Sequence, residues 1–223
     1  MKIFCITQRP TQTNTLIYLL GKKNIKIDLI ISTNIIQKDT FYEEKKSSYN
    51  SLKNQCKISG INYFHVANPN SIKILKLIKY HKISAGVSFV TDTILSKRIL
   101  KSLKGGLFGI HNGVLPKYRG IDANGQAILN GEKKVGFSII KLSSGIDDGP
   151  IYKQFKFNIK KFKSYNEIGK FIYYNYKLYE YARLLEKLKK NSKIKLSNQT
   201  AFYKLGFKLK KKEIYQINKI LSS

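Results

Sequence analysis

Residues Lys104–Ile151 read K-G-G-L-F-G-I-H-N-G-V-L-P-K-Y-R-G-I-D-A-N-G-Q-A-I-L-N-G-E-K-K-V-G-F-S-I-I-K-L-S-S-G-I-D-D-G-P-I. Most of the chain's 15 glycines, two of its 4 prolines and one of its 3 histidines fall in this window. The apolar run Leu107–His111 predicts a buried strand that breaks into a loop of turn-forming residues. A short helix over about Asn124–Asn130 follows. Two strands come next, Val135–Leu142 and Ile151–Phe157, joined through S-S-G-I-D-D-G-P.

Working outward, the N-terminal side repeats the same alternation. Strands are expected at Lys2–Thr7, Ile27–Ser32, Ile61–Val66 and Ile83–Phe89. Helices are expected at Thr11–Lys22, Ser51–Ser59, Ser71–Tyr80 and Ser96–Leu103, and Asn34–Asn50 reads as a long polar loop. Continuous apolar strands alternating with helices imply βαβ units and an open, mostly parallel sheet of Rossmann-like α/β type. Ligands of such sheets sit beyond the carboxyl ends of the strands, which points to Gln8–Thr13, Ser88–Thr93 and His111–Gly120. No G-x-G-x-x-G follows a strand, so a dinucleotide fingerprint is absent. On the C-terminal side, Ser164 and Glu167 form an S-x-x-E capping box that opens a long helix to about Lys190. The tyrosines at 173, 174, 176, 179 and 181 read as packing against the sheet. A strand at Phe202–Leu205 and a last helix from Lys212 complete a short extension. The expected division is a catalytic domain over 1–160 and a long helix with a basic extension over 161–223.

A hydrophobic content of 42% with 12% aromatics describes a folding chain with one good core, and no apolar run reaches the roughly 18 residues a bilayer demands. Cys5 and Cys56 have no metal-ligand spacing, which suggests a reduced, cytoplasmic setting and no metal. The net charge of +29 rests on lysine, with only four arginines: Arg9, Arg98, Arg119 and Arg183. Arginine is preferred where phosphates are read bidentately. The imbalance therefore speaks for a coding bias over a dedicated nucleic-acid groove, although the field attracts polyanions.

His111 closes an apolar strand at the ligand edge of the sheet. If the Asp147 turn folds over the same edge, an imidazole–carboxylate couple results, one group to move a proton and one to orient it. The bland alternative is a structural histidine and an ordinary turn. Pro116–Gly120 also reads two ways. It is a rigid turn, or it presents Lys117 and Arg119 to an anion.

The segment resembles the folate-dependent formyltransferases. The matching residues are His111, Leu115-Pro116-Lys117-Tyr118-Arg119-Gly120, Ile128-Leu129-Asn130-Gly131-Glu132, Gly136 with Ser138, and Asp147-Asp148-Gly149-Pro150-Ile151. The resemblance implies a Rossmann-like catalytic domain that moves a formyl group from 10-formyltetrahydrofolate to a primary amine through a tetrahedral intermediate. It gives His111 and Asp147 the catalytic roles. It also implies that the donor's pterin lies against Ser88, Phe89, Val90 and Thr91 and against Ser143–Ile146, including Gly145 and Ile146. Arg9, Lys117, Tyr118 and Arg119 become acceptor contacts. The family usually carries a catalytic asparagine two residues before the histidine, and Gly109 stands there. A second departure is Ile140, where many relatives place a histidine.

Within the family the absence of a glycine-rich loop after strand one disfavours the glycinamide ribonucleotide branch. The nucleotide-sugar branch suits the chain best, with an amino sugar on a nucleoside diphosphate as acceptor and a homodimer as one arrangement. Methionyl-tRNA formylation without a C-terminal barrel is the alternative within the family. A catalytically degenerate basic binding protein, motivated by Gly109 and by the 18 lysines between residues 151 and 223, is the alternative from another class.

Overall fold

The computed structural model of the chain describes residues 1–34, 46–90, 93–200, 205–206 and 208–222. By internal contacts the protein divides into two units. The first comprises Met1–Phe108 with Leu178–Ile194, and the second Gly109–Lys177 with Lys195–Ser223.

In the first unit β1 (Ile3–Thr7), β2 (Leu29–Ser32), β3 (Asn62–His65) and β4 (Ala85–Phe89) form parallel neighbours in the order β3-β2-β1-β4. Every residue of β1, β2 and β4 is buried, the signature of parallel strands covered on both faces. The connecting helices are α1 (Pro10–Gly21), α2 (Lys46–Ile58), α3 (Ile72–Tyr80) and α4 (Lys97–Ser102). Proline at the first helical position starts α1, and the Ser71 hydroxyl caps α3 by accepting from the Lys73 N–H at 3.2 Å. Most of the expected loop Asn34–Asn50 lies outside the described residues. Its last five residues instead open α2, whose polar sequence hides the two inward side chains Leu52 and Cys56.

Strand β5 (Gly106–His111) passes from the first unit into the second. There β6 (Arg119–Gly120), α5 (Ala123–Leu129), β7 (Lys134–Lys141) and β8 (Ile151–Asn158) follow. The antiparallel pair β7–β8 completes a mostly parallel sheet of order β3-β2-β1-β4-β5-β7-β8. Phe137 stacks on Phe155 at 4.7 Å between ring centres, and Phe157, Phe171 and Tyr176 extend that cluster.

The expected single helix from Ser164 to Lys190 is interrupted. α6 (Tyr165–Ile172) gives way to a π-helical turn at Tyr173–Lys177 before α7 (Leu178–Lys189). The Ser164 hydroxyl accepts from the Glu167 N–H as expected, while the Glu167 carboxylate reaches back to the Lys163 N–H at 2.7 Å. The box thus closes one residue earlier than the S-x-x-E pattern specifies. The tyrosines do not share one role either. Tyr181 is 1% exposed and donates to the Ser88 carbonyl at 2.8 Å, whereas Tyr174 and Tyr179 face solvent.

Of the expected strand Phe202–Leu205, residues 202–204 lie outside the described residues. Leu205–Gly206 forms β9, which pairs in parallel with β6. The last helix, α8 (Lys211–Ser222), packs on α5 and α6 through the fully buried Ile217. No helix among the described residues is long and apolar enough to cross a membrane.

Candidate functional site

The alternation of side chains along β5 puts positions 109 and 111 on one face, and the chain turns immediately after His111. His111 is 6% exposed. Its Nδ1 lies 3.1 Å from Asp147 Oδ2, and its Nε2 lies 2.5 Å from the Tyr118 carbonyl oxygen. A carbonyl and a carboxylate can only accept, so a ring with a proton on each nitrogen satisfies both contacts at once.

Asp147 sits in the left-handed backbone region with φ 49°, a conformation that residues with a side chain seldom adopt. Its Oδ2 also accepts from the Gly120 N–H at 2.9 Å. Burial alone raises its pKa. The hydrogen bond and charge of His111, the Gly120 N–H and the Arg119 charge together outweigh that and hold the carboxyl below its ordinary value. The two groups that the sequence places 36 residues apart are therefore a single polar pair, the imidazole buried and the carboxylate partly exposed.

The loop between them is braced from beneath. The Ser138 hydroxyl donates to the Gly113 carbonyl at 2.7 Å and accepts from the Leu115 N–H at 3.2 Å. Gln154 donates to both the Leu115 carbonyl and Ser138. Asn124, buried at the start of α5, accepts from the Gly136 N–H at 2.9 Å through its side-chain oxygen. Asn112 is exposed. Neither asparagine is drawn into the His111–Asp147 contacts.

Around Gly109 the picture is apolar. A Cβ built there would lie 2.6 Å from Leu142 Cδ2 and 3.3 Å from Leu142 Cγ. The space of a side chain at position 109 is taken by leucine.

The residues expected to meet the acceptor have partners within the chain. Lys117 and Tyr118 both bond the Glu132 carboxylate. The Arg119 guanidinium donates through Nε (2.9 Å) and Nη2 (2.5 Å) to the Ile146 carbonyl. Arg9 is buried, with its backbone N–H on Thr7 Oγ1 at 2.7 Å. Ser88 and Phe89 close β4 in the first unit, and the Val90 N–H bonds Ser88 Oγ at 3.1 Å. Thr91 lies outside the described residues. Gly145 packs hard against Asp148, and Ile146 is 38% exposed. Among the described residues no three histidine, cysteine or acidic side chains cluster to hold a metal.

Sequence reasoning passed over Tyr118's carbonyl, Gly120's amide, Gln154 and Gln199. Backbone groups leave no residue-type signal. The glutamines act singly, on carbonyls dozens of residues away.

Residues 1–173 match the model of the formyl transferase family, and the chain belongs to that family. It is 34% identical over 105 residues to the methionyl-tRNA formyltransferase of Thermotoga neapolitana, covering 46% of this chain and 34% of that protein. It is 32% identical over 120 residues to the bifunctional polymyxin resistance protein ArnA of Wigglesworthia glossinidia brevipalpis, covering 54% and 18%. The chain thus spans well under half the length of these curated relatives. Among solved structures, the sugar N-formyltransferase from a Shewanella species shares the fold at TM-score 0.64 and 21% identity, over 92% of this chain and 76% of that one. A phosphoribosylglycinamide formyltransferase from Anaplasma phagocytophilum shares it at TM-score 0.67 and 15% identity.

Proposed function

We propose that the protein transfers a formyl group from 10-formyltetrahydrofolate to a primary amine, and that the amine belongs to an amino sugar carried on a nucleoside diphosphate. The observation that supports this reading most is the pairing of the buried His111 with Asp147, 3.1 Å apart inside the segment matched by the formyl transferase family. Formyl transfer to an amine requires a group that moves a proton near the reacting carbon and a fixed charge that orients that group. His111 would shuttle the proton through Nε2 once that nitrogen exchanges the Tyr118 carbonyl for the reacting group. Asp147 would hold the ring through Nδ1 and stabilise its charged form. Glycine at position 109 offers no side-chain amide to the developing oxyanion. Such a donor typically contributes about 10²–10³ in rate, so turnover slower than that of an asparagine-bearing enzyme is expected.

For the acceptor, the stretch after β1, Gln8–Asn14, carries no glycine and speaks against a glycinamide ribonucleotide, and a sugar N-formyltransferase is among the structures that share the fold. The methionyl-tRNA formyltransferases among the sequence relatives favour charged initiator tRNA as the second reading. The test is formyl transfer from 10-formyltetrahydrofolate to a panel of dTDP- and UDP-linked amino sugars, with charged initiator tRNA as a separate acceptor. The expected result is turnover on an amino sugar that falls by about 10²–10⁴ in His111→Ala. Full-rate turnover in that variant overturns the mechanism. RNA binding with a steep salt slope and no formylation of any amine points instead to a basic binding protein.

A further inference from the structure

The Asp147 turn is held by more than its own strands. The Gln199 side-chain amide donates one hydrogen to the Asp147 carbonyl at 2.9 Å and the other to the Gly149 carbonyl at 2.8 Å. It bridges the turn on both sides of Asp148. Two residues earlier, Ser197 exchanges backbone hydrogen bonds with Ile151, each 2.8 Å long, and fixes Gln199 against the end of the turn.

The same C-terminal segment also meets the loop on the other side of the pair. Gly206 pairs with Gly120, the residue whose N–H holds the Asp147 carboxylate. The approach is close: a Cβ on Gly206 would lie 2.8 Å from the Ile121 carbonyl oxygen and 3.1 Å from that of Arg119. Just beyond, the Leu209 N–H donates to Asp122 Oδ2 at 2.9 Å, and the Leu209 side chain packs against Gly125.

We infer that Gln199 is a positioning residue for the His111–Asp147 pair, and that the C-terminal segment acts through Gln199 and Gly206 as a clamp on the two loops that carry the pair's partners. The physical need lies in the turn itself. A residue at φ 49° persists only where its surroundings over-determine it, and an aspartate that orients an imidazole must keep its carboxylate within a few tenths of an ångström. Arg119 pins the Ile146 carbonyl, and Gln199 pins those of Asp147 and Gly149. Three carbonyls within four residues are thus fixed by side chains from outside the turn. The Gln199 side-chain oxygen has no partner among the described residues, so the amide contributes as a donor only.

This inference rests on the reading of His111 and Asp147 as the proton-handling pair, and its test separates the two. The full chain is labelled with ¹⁵N-histidine, which gives three ring systems, those of His65, His81 and His111, assigned through His111→Ala. Gln199→Leu removes both donors, Gln199→Glu replaces them with acceptors, and Gln199→Lys retains a donor of similar reach. The expected result is that Leu and Glu shift the His111 ring signals and leave those of His65 and His81 in place, while Lys stays near wild type. In the formyl-transfer assay Leu and Glu lower kcat by about tenfold or more with KM values near wild type, as a misaimed catalytic group does. Unchanged His111 signals in Gln199→Leu overturn the proposal, and so does equal behaviour of the Lys and Glu variants. Should Gln199→Leu not fold, the Lys–Glu contrast carries the test alone. If the wild-type chain formylates no acceptor, the ring signals still decide whether Gln199 positions the pair.

Discussion

Positions 109 and 111 lie two residues apart on one face of β5, and their surroundings are opposite. His111 meets a carboxylate on one nitrogen and a carbonyl on the other, with every partner tied down in turn. At Gly109 the atoms nearest to where a Cβ would sit belong to the Leu142 side chain. The first environment selects a polar, oriented, charge-bearing side chain. The second rejects any side chain unless a leucine moves. A side chain at position 109 and Leu142 cannot both hold their places, so a polar group there calls for a change at Leu142 as well.

The sharpest way to break this contrast is Asp147→Asn, which keeps the size of the side chain and removes the charge that His111 faces. The expected fall in kcat/KM is about 10²–10⁴, because the ring loses the group that orients and charge-stabilises it. The same variant has a stability signature. The Asp147 carboxyl is held below its ordinary value in the folded protein. Its contribution is therefore complete above the unfolded pKa of about 3.9 and is lost as pH falls through the folded value. Denaturant unfolding of wild type and variant should differ near neutrality and converge in acid below about pH 4. A difference that grows as pH falls would contradict the direction of the shift.

The apolar half is sharpened by restoring what the glycine omits. Gly109→Asn alone forces the side chain into Leu142, and overpacking of this kind typically costs about 1–3 kcal/mol. Combined with Leu142→Ala the strain is relieved and an amide gains room beside His111. The double variant is expected to recover stability relative to Gly109→Asn and to raise kcat about tenfold, a fraction of what a preformed oxyanion donor supplies. Chemical denaturation and single-turnover kinetics measure the two effects separately. Equal stability of the single and double variants would mean that Leu142 does not limit position 109.

The same division explains what could be read in advance. The apolar runs of β1, β2 and β4 and the switch to helical spacing between them announce a parallel sheet, because burial on both faces demands such runs. The His111–Asp147 pairing could be framed from position, one residue at a strand end and one in a later turn, and its 3.1 Å geometry came from the fold. The start of α2 was hidden by lysine, serine and asparagine, since two buried side chains suffice to hold that helix. Of the C-terminal clamp only the strand expected at Phe202–Leu205, which shares Leu205 with β9, was legible. Gln199 reaches across about 50 residues to main-chain carbonyls, and β9 is two residues long. Ties from side chain to backbone have no period and no composition.

The smallest effect concerns the loop between the halves and decides which of its two readings holds. Glu132 accepts from both Lys117 and Tyr118, and Lys117 Nζ also lies 5.4 Å from the centre of the Tyr118 ring. The hydrogen bonds donated by Lys117 and Tyr118 hold the Glu132 carboxyl below its usual range, and donating to Glu132 raises the Lys117 ammonium. An anionic acceptor that docks on Lys117 must compete with this carboxylate. Glu132→Gln removes the competitor and keeps the shape, so the acceptor KM should fall about two- to fivefold at low ionic strength with kcat unchanged. Raising salt to about 0.5 M should erase the gain, since exposed charges are then screened within a few ångströms. A KM that does not respond at low salt would assign Pro116–Gly120 to shape alone: a turn that sets the Tyr118 carbonyl and the Gly120 amide against the histidine and its aspartate, with its lysine left to a neighbouring glutamate.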